Sequence, residues 1–268
     1  MTTPATPPTF PGARPRRAVI LLHGWTMTHR VFDGLGPRLE QGGRLQTVAP
    51  DLPGHGAAAD TPPTLAAGAE VVARCVAAQA GPRPVLLGWS MGAAVAWEYI
   101  ARHGCAGLGG LITVDMSPRM LNAADWPHGL LGQSAADVAE TTRRMARDWR
   151  GIANSIAATM FAGPDGAPGF SRDDTRAAIL ARDPDAMRRM WDALLAMDAR
   201  ETIRKIDCPY LVCRGAASRV YPASATDWIT AHAPGARAKV FAHSGHSPHL
   251  EEPEAFARAV ESFAATLE

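Results

Sequence analysis

The octapeptide VLLGWSMG at residues 85–92 gives the strongest indication of the fold of this chain. Its first three residues form an apolar run typical of a buried strand, and Ala93 to Arg102 is typical of a helix. The pattern Gly-x-Ser-x-Gly lies between them, where a serine must adopt strained backbone angles and larger neighbours than glycine would collide with strand or helix. Such a turn exposes the Ser90 hydroxyl and aims the backbone N–H of Met91, at the helix N-terminus, toward a developing oxyanion. We therefore predict a nucleophile at Ser90 and an oxyanion donor at Met91, against the simpler interpretation of a chance turn of small residues.

Five further apolar runs accompany this strand, and Ala-rich helical stretches separate them. All six runs are bounded by Gly, Pro or Asp: Ala18 to Leu22, Leu45 to Ala49, Val85 to Leu87, Leu111 to Val114, Tyr210 to Cys213 and Lys239 to Ala242. This alternation predicts an α/β fold with a mostly parallel central sheet that is flanked by helices on both faces. In open sheets of this kind ligands bind beyond the carboxyl ends of the strands, so the site is expected there.

The chain divides into three segments by pattern. Residues 1–17 form a Pro-rich leader that we expect to be flexible. The strand signal disappears between Pro118 and Arg204, where a helical pattern surrounds a Gly/Pro turn at Gly163 to Gly169. We expect residues 118–204 to be a helical cap inserted into a core made of residues 18–117 and 205–268.

Composition excludes several classes of protein. With 47% hydrophobic and 20% charged residues the chain is globular rather than disordered. A formal net charge of +1 creates no field that would recruit nucleic acid or an anionic membrane, and no apolar stretch is long enough to span a bilayer. The four cysteines form no C-x-x-C pair and are too few for a disulfide framework in a chain of this length. We therefore expect them to be thiols in a reducing compartment. We expect a cytoplasmic monomer or homodimer that binds a small molecule, possibly carrier-bound, and no nucleic acid, membrane or cofactor.

The tripeptide His23-Gly24-Trp25 directly follows the first predicted strand. A glycine here lets the loop approach a neighbouring nucleophile closely, and we expect the backbone N–H of Trp25 to be the second oxyanion donor. For His23 we favour a role in tying the loop together through hydrogen bonds over direct proton transfer.

Three histidines compete for the role of general base after the last predicted strand. His246 follows a glycine in a loop that can bring its imidazole over the strand ends, whereas His243 is still close to the strand and His249 enters the last helical region. A metal site is the rival interpretation, but only Glu251 and Glu252 are near as further ligands. We therefore predict that His246 is the base and that no metal is bound.

Four motifs together resemble the α/β-hydrolase superfamily: His23-Gly24-Trp25, the loop Asp51-Leu52-Pro53-Gly54-His55-Gly56, the pentapeptide at 88–92 and Gly245-His246. The resemblance covers essentially the whole chain after the leader. The pentapeptide and the closing segment 251–256 are similar to those of esterases that cleave carrier-bound pimeloyl methyl ester, related small-ester hydrolases and cofactor-free haloperoxidases. The resemblance implies a serine hydrolase that cleaves an ester or thioester with an apolar acyl or alkyl group through an acyl-enzyme, and a structural role for the Asp51 loop.

One departure from the superfamily pattern concerns the acid of the triad. The superfamily usually carries it in a Gly-x-x-Asp pattern after the strand that here ends near Arg214, but this chain has Ser218 at the Asp position. A serine cannot supply the permanent charge that stabilises an imidazolium. Some superfamily members place the acid after the strand that here ends at Asp115, and we predict the triad Ser90, His246 and Asp115. The simpler interpretation is that Asp115 only caps the following loop.

The predicted cap is rich in Trp, Met and Phe, which can line an acyl pocket or fill a helical core. We expect most of nine such residues to be core and two or three to touch substrate: Trp126, Met145, Trp149, Met160, Phe161, Met187, Met190, Trp191 and Met197. Two arginine clusters, at 143–150 and 188–189, could receive an acidic carrier or a carboxylate, but a solvated helix face is the favoured interpretation.

Two other functions fit the same residues. The altered acid loop leaves open an elimination, cyclisation or perhydrolysis in place of hydrolysis, and a ligand-binding protein without turnover is the third candidate. Covalent labelling of Ser90 by a fluorophosphonate separates binding alone from the two catalytic functions.

Overall fold

The computed structural model describes residues 15–267. Its strands are β1 (Arg17–Leu22), β2 (Leu45–Val48), β3 (Val85–Trp89), β4 (Gly110–Val114), β5 (Gly166–Ala167), β6 (Phe170–Ser171), β7 (Tyr210–Gly215) and β8 (Arg237–Phe241). Six of them form one parallel sheet in the order β2-β1-β3-β4-β7-β8. This confirms the predicted fold class and all six predicted strands. Residues 1–14 of the predicted leader lie outside the described residues, and Arg17 already belongs to β1.

Both faces of the sheet are covered. Along β1 the side chains alternate, so that Ile20 and Leu22 pack in one apolar cluster while Val19 and Leu21 pack in the other. The central strands β1, β3 and β4 are buried over their whole length, whereas β8 at the edge is largely exposed. Continuous apolar runs are the pattern that such doubly covered strands require.

Helices flank the sheet and fill the segment between β4 and β7. They are α1 (Leu35–Glu40), α2 (Leu65–Ala77), α3 (Met91–His103), α4 (Ala135–Arg147), α5 (Trp149–Thr159), α6 (Arg172–Leu180), α7 (Pro184–Ala196), α8 (Arg200–Ile203), α9 (Ala223–His232), α10 (Pro248–Glu251) and α11 (Pro253–Ala265), with short 3₁₀ turns at His29–Phe32 and Gly56–Ala58. None of the helices within residues 15–267 is both long and apolar enough to cross a bilayer.

The segment between Pro118 and Arg204 is helical, as predicted, but it also contains a small antiparallel hairpin. The strand β5 lies within the predicted turn at Gly163 to Gly169 and β6 directly follows it, and Gly166 and Gly169 both have positive φ. Strands of two residues are too short to produce a detectable alternation. Two helices of this segment begin with a capping box. Ser134 and Asp137 form it at the start of α4, and Ser171 and Asp174 form it at the start of α6.

Candidate active site

Ser90 lies at the tight junction of β3 and α3. Its backbone has φ 53° and ψ −119°, an uncommon conformation for a residue with a side chain. The Ser90 N–H donates to the carbonyl of Val114 at the end of β4. A Cβ on Gly88 would lie 2.3 Å from the carbonyl oxygen of Gly92, and one on Gly92 would lie 2.1 Å from that of Leu22. The junction therefore requires both glycines of the motif, as the sequence predicted.

His246 and Asp115 are in direct contact. The imidazole Nδ1 lies 2.6 Å from Asp115 Oδ2, and both side chains are buried. Asp115 directly follows β4 and has a positive φ of 48°, while its N–H donates to the carbonyl of Cys213 in β7. Ser218 donates a second hydrogen bond of 2.6 Å to the same carboxylate oxygen. The structure thus brings the predicted acid and the predicted base together. The Ser218 hydroxyl, which in the sequence appears only as a missing carboxylate, contacts the same oxygen.

Two residues that the sequence did not assign hold the backbone around His246. The indole Nε1 of Trp89 donates to the carbonyl of His246 at 2.9 Å. The carboxylate of Glu251 accepts from the backbone N–H groups of Gly245 and Ser247, at 2.8 and 3.2 Å. Burial raises the pKa of Glu251 above its ordinary value, although these N–H donors oppose the shift. The sequence singled out Glu251 only as part of the closing motif and as a possible ligand in the rival metal site.

The other two histidines of the C-terminal loop have different surroundings. His243 is exposed, and its backbone N–H donates to Glu252. His249 is fully enclosed against Phe32 and Trp89, and burial lowers its pKa to about 3. Neither ring nitrogen of His249 has a hydrogen-bond partner among the described residues. No three His, Cys, Asp or Glu side chains converge on a common point within residues 15–267 in the way a metal ion needs.

The loop after β1 is tied down by a buried histidine. The N–H of Leu52 donates to His23 Nε2 at 2.9 Å, so Nδ1 carries the proton and donates to the carbonyl of Gly24. Burial lowers the pKa of His23 to about 3, which keeps the ring neutral. A Cβ on Gly24 would lie 2.9 Å from the Trp89 ring, so the loop passes close to β3. This agrees with the predicted hydrogen-bonding role of His23.

A cavity of about 230 Å³ opens beside Ser90 and His246 at the carboxyl ends of the strands. Trp25 and Met91, whose N–H groups are the predicted oxyanion donors, line it as well. Most of the other lining residues are apolar: Met27, Trp89, Met116, Met120, Leu130, Met145, Ile152, Ile156, Met160, Trp191, Leu194, Val220 and Tyr221. The polar lining side chains are Gln133, Thr141, Ser155, Thr159 and Arg219.

Three of the nine Trp, Met and Phe residues singled out in the sequence line this cavity. They are Met145, Met160 and Trp191, and Trp191 also packs against Trp25 with ring centroids 5.1 Å apart. Several others, such as Trp126 and Met187, are buried elsewhere in the helical segment. The aromatic and Met-rich pattern therefore serves mainly to pack the helices, in agreement with the expectation.

Arginines of both clusters in the helical segment lie at the surface and form ion pairs with acids on the same helix. Arg143 and Arg147 both contact Glu140, and Arg188 contacts Asp192. Exposed pairs of this kind stabilise a helix only slightly. The arrangement favours a solvated helix face for these arginines.

A sequence model described as the alpha/beta hydrolase family matches residues 19–259. The pimeloyl-[acyl-carrier protein] methyl ester esterase of Nitrosomonas europaea is 30% identical over 247 residues, which cover 89% of this chain and 92% of that protein. The esterase of the same name from Neisseria meningitidis is 32% identical over 248 residues, covering 92% and 93%.

Solved structures show the same architecture. An esterase from Exiguobacterium antarcticum superposes with a TM-score of 0.84 at 22% identity, over 94% of this chain and 92% of that one. A putative aryl esterase from Burkholderia cenocepacia superposes with a TM-score of 0.76 at 25% identity, over 94% and 90%.

Proposed function

Because the chain belongs to the alpha/beta hydrolase family, we propose that it cleaves an ester or thioester with an apolar acyl or alkyl group through Ser90, His246 and Asp115. That the chain is an ester hydrolase of this family follows from its relatives. The observation that carries the proposed triad is the 2.6 Å contact between His246 Nδ1 and Asp115 Oδ2 beside a cavity that Ser90 also lines.

The contact with Asp115 defines the tautomer of His246 in the proposed mechanism. When Nδ1 carries a proton and donates it to the carboxylate, Nε2 is left as an acceptor for the Ser90 hydroxyl proton. Ser90 Oγ then attacks the substrate carbonyl, and the charge on its oxygen is stabilised by the N–H groups of Trp25 and Met91. His246 returns the proton to the leaving alcohol or thiol. Water, activated by the same imidazole, then hydrolyses the acyl-enzyme.

The lining of the cavity supports an apolar substrate portion next to Ser90. Met, Leu, Ile and Trp side chains make up most of the wall, and burying an acyl or alkyl chain against them is favourable. We propose that residues 118–204 act as a cap, because Met145 and Ile156 of this segment face the cavity. Given the names of the relatives, we propose a carrier-bound methyl ester such as pimeloyl-carrier methyl ester as the first natural substrate to test.

Active-site labelling tests the proposed nucleophile. A fluorophosphonate should add one adduct to the protein, seen by intact mass and located at Ser90, and Ser90→Ala should abolish both the adduct and turnover of p-nitrophenyl esters. A matched Ser155→Ala variant changes a hydroxyl on the cavity wall and should still be labelled. Absence of a Ser90 adduct would favour ligand binding alone. Labelling of Ser90 without turnover of p-nitrophenyl esters of any acyl length would favour elimination, cyclisation or perhydrolysis.

A further inference from the structure

We infer that Ser218 is a positioning residue that holds the Asp115 carboxylate in the orientation that His246 needs. The inference rests on the proposed function, in which Asp115 orients the base. Its basis is the hydrogen bond of 2.6 Å from Ser218 Oγ to Asp115 Oδ2, the oxygen that also contacts His246 Nδ1 at 2.6 Å.

The direction of the Ser218 hydrogen bond follows from the chemistry of its two partners. The backbone N–H of Val220 lies 3.3 Å from Ser218 Oγ and can only donate to it. An ionised carboxylate can only accept, so the hydroxyl proton of Ser218 must point to Asp115. The hydroxyl is thereby fixed between one donor and one acceptor, rather than free to rotate.

The backbone brings the two loops side by side. Val114 of β4 and Cys213 of β7 are partners in the sheet register, and each strand is followed by the loop that carries Asp115 or Ser218. Asp115 has a positive φ, which is uncommon for a residue with a side chain. The hydrogen bond from Ser218 adds a constraint on the side chain to the constraint that the Cys213 carbonyl places on the Asp115 N–H.

Two donors on one oxygen also distribute the negative charge of Asp115. A charge-assisted hydrogen bond from a hydroxyl stabilises the ionised carboxylate. Because part of its charge is then compensated, the carboxylate attracts the imidazolium less strongly than it would without that donor. Loss of the hydroxyl should therefore have two effects. The carboxylate becomes less well oriented, and the charged imidazolium becomes more stable.

Other titratable groups also face His246 and must be separated from this effect. The Tyr221 ring centroid lies 6.2 Å from that of His246, and both burial and the charge of Asp115 raise the pKa of Tyr221. His249 and Glu251 interact electrostatically with His246 from the helical side. Among the residues that the structure describes, His249 and Glu251 make no hydrogen bond with Ser218, and Ser218→Thr, which keeps the acceptor for the Val220 N–H, controls for a shift of the neighbouring Tyr221.

The test compares Ser218→Ala with Ser218→Thr in steady-state kinetics between pH 5 and pH 9, with a p-nitrophenyl ester as substrate. We expect Ser218→Ala to lower kcat about tenfold with KM changed less than about twofold, because ordering of the base rather than binding is lost. The acidic limb of kcat/KM should move to higher pH by about half a pH unit. Ser218→Thr keeps the hydroxyl and should restore both values. An Ala variant with normal kcat and an unmoved acidic limb would overturn the inference, as would a Thr variant that folds but restores neither.

A second measurement does not depend on turnover. In the Ser90→Ala protein, the proton between His246 Nδ1 and Asp115 should give a downfield ¹H resonance, and adding Ser218→Ala should shift or broaden it. An unchanged resonance would overturn the inference even where turnover is too slow to measure. The proposed function fails separately, if Ser90→Ala retains turnover. Normal kinetics in Ser218→Ala beside an inactive Ser90→Ala would remove only the role of Ser218.

Discussion

The indole of Trp89 donates a hydrogen bond to the backbone carbonyl of His246, with Nε1 and O 2.9 Å apart. Trp89 is the residue before Ser90, so the turn that presents the proposed nucleophile also holds the loop of the proposed base. The two rings lie with centroids 5.5 Å apart. One buried side chain thereby connects two loops that are 157 residues apart in the chain.

Substituting Trp89 by Phe should impair turnover as well as stability. A phenyl ring takes the place of the indole, so the His246 carbonyl loses its donor, the imidazole is less well placed and we expect kcat to fall about tenfold. Stability should fall by about 2 to 3 kcal/mol, because the hydrogen bond is lost and the smaller ring leaves a cavity in the core. Trp97→Phe is the matched control, because Trp97 is also buried and donates its indole N–H, but to the Tyr210 hydroxyl. Equal losses of kcat in the two variants would contradict this account.

Asp115→Asn should lower kcat by roughly 10⁴, since the amide keeps the shape of the carboxylate but cannot stabilise the imidazolium or hold its tautomer. If Asp115 only caps its loop, the same change should lower stability by about 1 kcal/mol and leave kcat nearly normal. Kinetics and melting temperature of the variant distinguish the two. Because Ser218 Oγ lies 2.6 Å from the carboxylate, a second change to Ser218→Asp should partly rescue kcat.

The three C-terminal histidines should differ strongly in their effect on turnover. His246→Ala removes the proposed base and should lower kcat by roughly 10⁵ to 10⁶, as for other triad histidines. His243→Ala changes an exposed side chain, and His249→Ala a buried one without polar contacts in the described part of the chain, so each should lower kcat less than tenfold. A reversed order would show that another histidine acts as the base.

Stability should fall as the solution becomes mildly acidic. Burial lowers the pKa of His23 to about 3, of His55 to about 4 and of His249 to about 3, whereas each is near 6.5 in the unfolded chain. Below pH 6.5 the unfolded state therefore binds protons that the folded state excludes, and each histidine lowers the free energy of unfolding by up to about 1.4 kcal/mol per pH unit.

His249→Phe tests this dependence, because a phenyl ring can pack against Phe32 and Trp89 without titrating. Urea unfolding at pH 7, 6 and 5 should show a shallower loss of stability for this variant than for the unsubstituted protein. His243→Asn removes an exposed imidazole and should leave the slope unchanged. The explanation fails if His249→Phe and the unsubstituted protein lose stability in parallel.

Gly92→Ala should prevent correct folding of the elbow. The added Cβ would lie 2.1 Å from the carbonyl oxygen of Leu22, and neither backbone can move without breaking the contact between α3 and β1. We expect a loss of stability of several kcal/mol, measured by thermal unfolding, and a loss of fluorophosphonate labelling. Gly42→Ala, where a Cβ meets nothing within 4 Å, is the control and should unfold at a nearly normal temperature.

The sequence predicted the sheet well because the signal there is strong. The strands β3 and β4 are buried on both faces, so each appears in the sequence as a largely apolar run. The two glycines of the Gly-x-Ser-x-Gly pattern are most simply explained by a tight turn. Asp115 could be proposed because it directly follows one of these runs. What places it against His246 is the sheet order, which no local pattern contains.

Two of the contacts that the sequence did not predict are between distant residues. The Ser218 hydroxyl reaches Asp115 across 103 positions, and the Trp89 indole reaches His246 across 157. Serine and tryptophan are common in loops and cores, so their presence alone does not indicate a partner. The hairpin of β5 and β6 was missed for the opposite reason, because two-residue strands leave no pattern at all.

The sheet order also determines when the proposed chemistry can first occur during synthesis. Ser90 lies inside the strand-helix-strand unit β3-α3-β4 and Asp115 directly follows it, so both residues are synthesised well before β8. His246 follows Asp115 by 131 residues and is positioned only after β8 has added to the edge of the sheet. A nascent or C-terminally cleaved chain would thus contain the proposed nucleophile and the proposed acid but not the proposed base. Ester turnover therefore reports that the last strand has docked.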